Sequence, residues 1–200
     1  LLALVTEPSV IMALPPIAKA TLQAALINAG SNVLAQSIQS YRNEKPFELD
    51  LQTLFQFTTC AFVMSPMTFL WLEGLESVLP GHPNESEAAV TKSKTEKADQ
   101  PKQKKLNVKN TVAKIVIDQV VGGAWATVLF SLTMGLLRGQ EYDVLMAQIR
   151  NDFWPLLIAG FKLWPLVSIL NFTVVPAEKR LLVGSVFGVV WAVYLSLMSG

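Results

Sequence analysis

One cysteine, Cys60, and one histidine, His82, are all that this chain has of either residue. No intramolecular disulfide can form, and neither a Cys-based zinc site nor a histidine cluster can be assembled. Charge is scarce as well. Only 16% of the 200 residues are Asp, Glu, Lys or Arg, against about a quarter in an ordinary soluble domain. The net charge of +1 leaves no overall basic field of the kind that draws nucleic acid. A Ser-His-Asp set would have to use His82, which lies in the Leu79-Pro80-Gly81-His82-Pro83 turn, and no Gly-x-x-x-x-Gly-Lys phosphate cradle occurs. The reading is therefore no enzyme, no metal, no cofactor and no nucleic-acid partner.

What the chain has in quantity is apolar surface. With 52% hydrophobic residues and a mean hydropathy of +0.41, it reads as one integral membrane domain over residues 1–200. Apolar stretches near the roughly 20 residues that span a bilayer as helix occur five times. They cover about 14–38, entered through Pro15-Pro16, then 51–72 with Pro66 inside, 112–137, 154–175 and 181–198. The fourth is interrupted by Lys162 and Pro165. Between the third and fourth, Tyr142, Leu145, Met146 and Ile149 form one apolar stripe, read as a short helix over 140–152 lying in the interface. The fold class is all-α: a helical membrane bundle of four to five spans.

Charge gathers in one place. Residues 85–109 hold seven lysines and four acids (Glu85, Glu87, Glu96 and Asp99) with little to bury, so 80–110 reads as a solvated, mostly disordered loop. By the positive-inside rule this loop faces the cytosol, on the same side as Lys179-Arg180. The chain starts at Leu1 rather than Met, which leaves room for a targeting segment before it.

Polar residues inside the spans are the candidate functional groups. At about 100° per residue, Asn28, Asn32, Gln36 and Gln39 share a face of the first span with Ala24, Ala25, Ala29 and Ala35. That stripe reads either as helix packing with amide cross-bonds or as the wall of a wet pore, since bare amides in hydrocarbon are costly. The third span carries Asp118 and Gln119 on a face with Gly122, Gly123 and Ala126. A carboxylate at membrane depth points to function, but Lys114, four residues earlier, could simply neutralise it. Gly184, Gly188, Ala192 and Ser196 put a small residue at every fourth position of the last span, which predicts close helix contact. Trp154, Trp164, Trp191 and Tyr194 suit either aromatic belts or core packing.

Trp164-Pro165, Asn171-Phe172, Val175-Pro176, Arg180 and Trp191-x-x-Tyr194-Leu195-Ser196 together resemble the signature of the Mpv-17 / 22-kDa peroxisomal membrane protein family. Lys114-x-x-x-Asp118-Gln119, Ser65-Pro66 with Trp71, and Gln36 extend the resemblance over most of the chain. The chain departs from the pattern at Ser31-Asn32, Phe69, Leu72, Ala124 and Ser168. The resemblance implies a small helical protein of the peroxisomal or mitochondrial inner membrane, acting as a weakly selective pore for small solutes or as a membrane-organising or sorting factor. Peroxisome is favoured by the 70–73, 79–81 and 180–184 runs. The leading expectation is a channel lined by Asn28, Asn32 and Gln36 with Asp118 and Gln119 opposite. The runner-up is a scaffold whose lysine-rich loop docks a protein partner, and the third is an intramembrane enzyme. The bilayer is an expected partner in each case, and a homo-oligomer is compatible with all three.

Overall fold

The computed structural model describes residues 14–81 and 106–198, and every described element is helical. Residues 82–105 of the expected Lys-rich loop, His82 among them, and the two chain ends lie outside the described residues, while the end of that expected loop, from Val108 on, is already helix. Helix α1 runs Pro16–Arg42, with proline in its first turn where a missing N–H costs nothing. Helix α2 runs Leu51–Val78 and is capped by Asp50, whose carboxylate accepts from Thr53 N (3.0 Å) and Thr53 Oγ1 (2.5 Å). Helix α3 runs Val108–Ile117 behind an Asn107 cap. It passes through a π-helical turn at Asp118–Gly122 into α4, Gly123–Leu137. At the end of α4, Gly139 takes φ +68° and Gln140 N returns to Gly135 O (3.0 Å), a stop that needs a left-handed residue.

Helix α5 runs Tyr142–Gly160, so the expected interfacial helix over 140–152 is the first half of a longer one. Its apolar stripe packs on α4, with Leu145 fully buried against Gly135. After a break at residues 161–163 comes α6, Trp164–Thr173, with Pro165 in its first turn, bent 55° from α5. A single 3-10 turn, Ala177–Lys179, leads to α7, Arg180–Met198.

Helix α2 is central. On one side it meets α1 and α7, which also pack together; on the other it meets α4, while α6 packs on α3, the π-turn and α7. A small apolar core of Ala24, Phe69 and Leu181 sits where α1, α2 and α7 meet. Elsewhere the usual arrangement is inverted. Leu26, Phe55, Leu70, Val120, Ile158 and Leu166 face outward, while Asn32, Gln56, Ser65, Lys114, Ser168 and Arg180 are buried. Large apolar side chains outside and polar ones inside are what a lipid solvent demands. Two helical rods, Leu51–Val78 and Val108–Leu137, are long and apolar enough to cross a membrane, and the bent pair α5–α6 makes a third if it is one span. These are the rods that meet the criterion among the described residues, and the all-α membrane bundle is the fold class read from the sequence. The amides and Lys19 that give α1 its polar face also dilute its hydropathy.

Twenty residues of α2 separate Glu76 from Gln56, whose Nε2 donates to Leu137 O at the far end of α4 (3.4 Å). That is about 30 Å of helix, the thickness of a hydrocarbon core. Glu76 therefore marks one end of the bundle and Gln56 the other.

Candidate functional site

The Glu76 end is built around an ion-pair junction. Lys114 of α3, with no exposed side-chain surface, donates from Nζ to Glu76 Oε2 at 2.7 Å. Arg180, at the start of α7, donates from Nη1 to the same oxygen at 2.5 Å. The other carboxylate oxygen accepts from Gly81 N at 2.7 Å. Both cations lie 5.1 Å from the centre of the Phe172 ring. Arg180 also donates from Nε back across the 3-10 turn to Asn171 O of α6 (2.9 Å). One carboxylate thus ties α2, α3 and α7 together. Burying two cations is tolerable only because oxygen and a ring face surround them.

Gly81 lets the ammonium come close: a Cβ there would sit 2.9 Å from Lys114 Nζ, so the lysine end would have to shift. Beside it, Asn107 N donates to Gly81 O (2.8 Å) and Asn110 Nδ2 to Pro80 O (3.0 Å). The two ends of the 82–106 segment are therefore clamped to each other.

About 6 Å further in, one helical turn beyond Lys114, stands Asp118. Its Oδ1 accepts from Trp71 Nε1 (2.9 Å) and its Oδ2 from Ser168 Oγ (2.5 Å), which in turn accepts from Gln119 Nε2 (2.7 Å). Every one of these bonds points toward the carboxylate. The π-turn produces this: its extra residue per turn brings Asp118 and Gln119 together onto α2 and α6. Gly122 makes the approach possible, since a Cβ there would lie 2.9 Å from Asp118 Oδ1 and 3.0 Å from Trp71 Nε1. The expected Lys114–Asp118 neutralising pair does not form. Lys114 points across to Glu76 instead, and the four charges of the two layers balance without it.

The amide stripe of α1 goes elsewhere. Asn28 Nδ2 bonds back to Ala24 O (2.8 Å) in its own helix. Gln36 donates to Asn32 Oδ1 (2.8 Å) and to Asp50 O (3.1 Å), and its Oε1 accepts from Asp50 N (2.8 Å). These residues fasten α1 to the start of α2. They do not stand opposite Asp118 and Gln119, because α2 and α7 are the neighbours of α1.

The C-terminal motif divides between two places. Asn171, Phe172 and Arg180 complete the ionic junction, with Pro176 opening the 3-10 turn that delivers Arg180. Trp164, Trp191 and Tyr194 cluster at the α5–α6 break, ring centres 6.3 Å apart for Trp164–Trp191 and 5.4 Å for Trp191–Tyr194, with Pro165 beginning α6 beside them. There Lys162 Nζ donates to Tyr194 Oη at 3.1 Å.

Glu76 is the residue that sequence reasoning missed. The second apolar stretch fades near residue 72, so Glu76 reads as lying past its end, whereas the helix runs on to Val78. Ser168 was visible only as a departure from the family pattern. At Gly184 and Gly188 the expected close contact is not found: a Cβ on either would meet nothing within 4 Å among the described residues. The side chains of Ala192 and Ser196 lie outside the described residues.

An all-α bundle with lipid-facing apolar side chains and an internal ionic junction is an integral membrane protein. The comparisons place its likeness in one family. The model of the Mpv17 / PMP22 family matches residues 135–196. The chain is 25% identical to an uncharacterised protein of Schizosaccharomyces pombe over 92% of its own length and 82% of that protein's. It is 32% identical to Protein SYM1 of Saccharomyces cerevisiae over 44% of each chain. It is 26% identical to the Mpv17-like protein of Bos taurus over 64% of this chain and 53% of that one. Over its C-terminal third the chain is similar to the Mpv17 / PMP22 family. No solved structure matches it.

Proposed function

We propose that this protein is a weakly selective channel for small metabolites in an organelle membrane rather than an enzyme. The observation that carries the reading is Asp118. It lies about one turn inside the ionic junction, bears no cation among the described residues, and is held by the neutral donors Trp71 and Ser168. A carboxylate kept at membrane depth by donors alone is the arrangement expected where water and solute reach it. Asp118 and Gln119 face the path in this reading, and Asn28, Asn32 and Gln36 secure the joint of α1 with α2. The home favoured by the sequence runs is the peroxisomal membrane. The name SYM1 attaches to relatives that fit the mitochondrial inner membrane equally, and fluorescence localisation of the tagged chain decides between the two.

The test is solute release from proteoliposomes of pure protein. Small metabolites should escape while solutes of a few kilodaltons stay, and Asp118→Asn should reduce the cation component in planar-bilayer recordings. Protein that leaves liposomes sealed to every small solute sinks the channel. The second reading, a sorting or docking scaffold, is favoured by the bond from Asn107 N to Gly81 O, which joins the two ends from which the lysine-rich sequence departs. Replacing 82–105 by a short linker should leave solute release intact in a channel and abolish partner binding in a scaffold.

A further inference from the structure

Lys162 is the one basic residue at the α5–α6 break, and its position along the bundle is unusual. Tyr194 lies fourteen residues beyond Arg180 on α7, about 21 Å from the ionic junction. From the other direction, Leu157, just before the break, lies against the position of Gly123. Gly123 is nine residues past Lys114, about 14 Å from the junction. Both routes put the Lys162 ammonium inside the roughly 30 Å slab, away from either end.

At that depth a lysine is expensive unless it is paired or wet. Lys162 has no carboxylate partner among the described residues. Its contacts are Tyr194 Oη at 3.1 Å and the Tyr194 ring, centred 5.7 Å from Nζ, and the side chain is exposed. Phe161 beside it is 46% exposed. The surroundings fit an opening: α5 leans on α4, whereas α6, bent 55° away, leans on α3 and α7. The break between them is where the ammonium emerges.

We infer that Lys162 and Tyr194 line a water-filled recess at mid-depth, opening at the α5–α6 break, that takes small anionic solutes such as carboxylates and phosphates. The inference rests on the channel reading for transport but concerns a different group from Asp118, and of opposite sign. The phenol turns its oxygen to the ammonium and leaves the other ammonium protons to an incoming anion, while the Trp164 and Trp191 rings wall the recess on the α6–α7 side.

The experiment uses the full chain in proteoliposomes with Cys60→Ser, removing the one native thiol, and Phe161→Cys as reporter. Anionic and cationic methanethiosulfonates are the probes. The reporter should react with both, the anionic reagent faster by about fivefold, the effect of one nearby charge across water. Adding Lys162→Gln should bring the two rates together. Ile158→Cys, one turn nearer the Gln56 end and 60% exposed, should stay unreactive as a lipid-facing control. A reporter that does not react overturns the recess. Equal reaction at Ile158→Cys and Phe161→Cys overturns it as well, because Lys162 then reaches the far surface. A reporter whose anion preference survives Lys162→Gln overturns the role of the lysine. Where the wild type conducts, Lys162→Gln should also shift the reversal potential toward cations. Absence of conductance strikes the channel reading alone, since labelling decides on the recess without it.

Discussion

Asp118 and Glu76 are two carboxylates one helical turn apart in depth, with opposite tasks. Glu76 is surrounded by full positive charges, Asp118 by neutral donors. Removing the charge of Glu76 leaves Lys114 and Arg180 buried side by side with nothing between them. Glu76→Gln should lower stability in detergent by about 3 kcal/mol, and Lys114→Met on top of it should restore part, because a broken buried pair costs more than its absence. Thermal unfolding of the single and double variants checks this, and a double variant weaker than Glu76→Gln alone would refute the pairing. Asp118→Asn replaces an acceptor of two bonds by a group that must donate with one side. It should cost about 1–3 kcal/mol, and Lys114→Met should give no rescue, since the lysine belongs to Glu76. Gly122→Ala should do similar damage without replacing a polar side chain, because its Cβ would press on Asp118 Oδ1 and Trp71 Nε1 and force the indole off the carboxylate; tryptophan fluorescence of the variant should report the moved indole. Asp118 and Lys114 were both legible as charges in an apolar run. Which partner each takes was not, because i,i+4 spacing offers a contact that a side chain reaching across to another helix can decline.

At the scale of the element, the start of α2 carries a pH dependence. Asp50 is held below its ordinary value of 3.8 chiefly by the Thr53 hydroxyl and then by Thr53 N–H, both bonding the charged form. A depressed carboxylate stabilises its helix above its unfolded value and loses that contribution as pH falls through the folded one. Protection of the first-turn amides of α2, taken relative to their intrinsic exchange rates, should therefore fall below about pH 4, and Asp50→Asn, still a competent cap, should flatten the dependence. Gln36, bonded to both backbone groups of Asp50, couples that cap to α1. The last helix gives the opposite lesson. A small residue every fourth position is a pattern for close packing, yet Gly184 and Gly188 face open space. Gly188→Leu should leave the melting temperature of the chain unchanged within error, and a fall in melting temperature would mean that the ladder packs inside the chain after all. The pattern specifies a smooth face, and only the arrangement of neighbours says whether anything lies on it.

For the whole molecule, the clamp at Gly81 and Asn107 predicts that replacing residues 82–105 by a short linker leaves the melting temperature within a few degrees of the parent. Protease added to sealed organelles should cut the native segment, if the lysine count orients the chain as charge asymmetry usually does. Much of this protein could be read from its order of residues alone. Apolar length and scarce charge determine helices in lipid, since a backbone in hydrocarbon has few other ways to satisfy itself. The prolines, the caps and the charged loop mark where helices begin and stop, because those effects are local. The tertiary structure alone decided that residues 142–160 form one rod, that the amides of α1 clamp Asp50 rather than face Asp118, and that Glu76 holds Lys114 and Arg180. It also set Lys162 against Tyr194 at the α5–α6 break. Each of these depends on which helix stands beside which. That choice is made by packing and by the pairing of buried charge across residues far apart in the chain, and no local pattern encodes it.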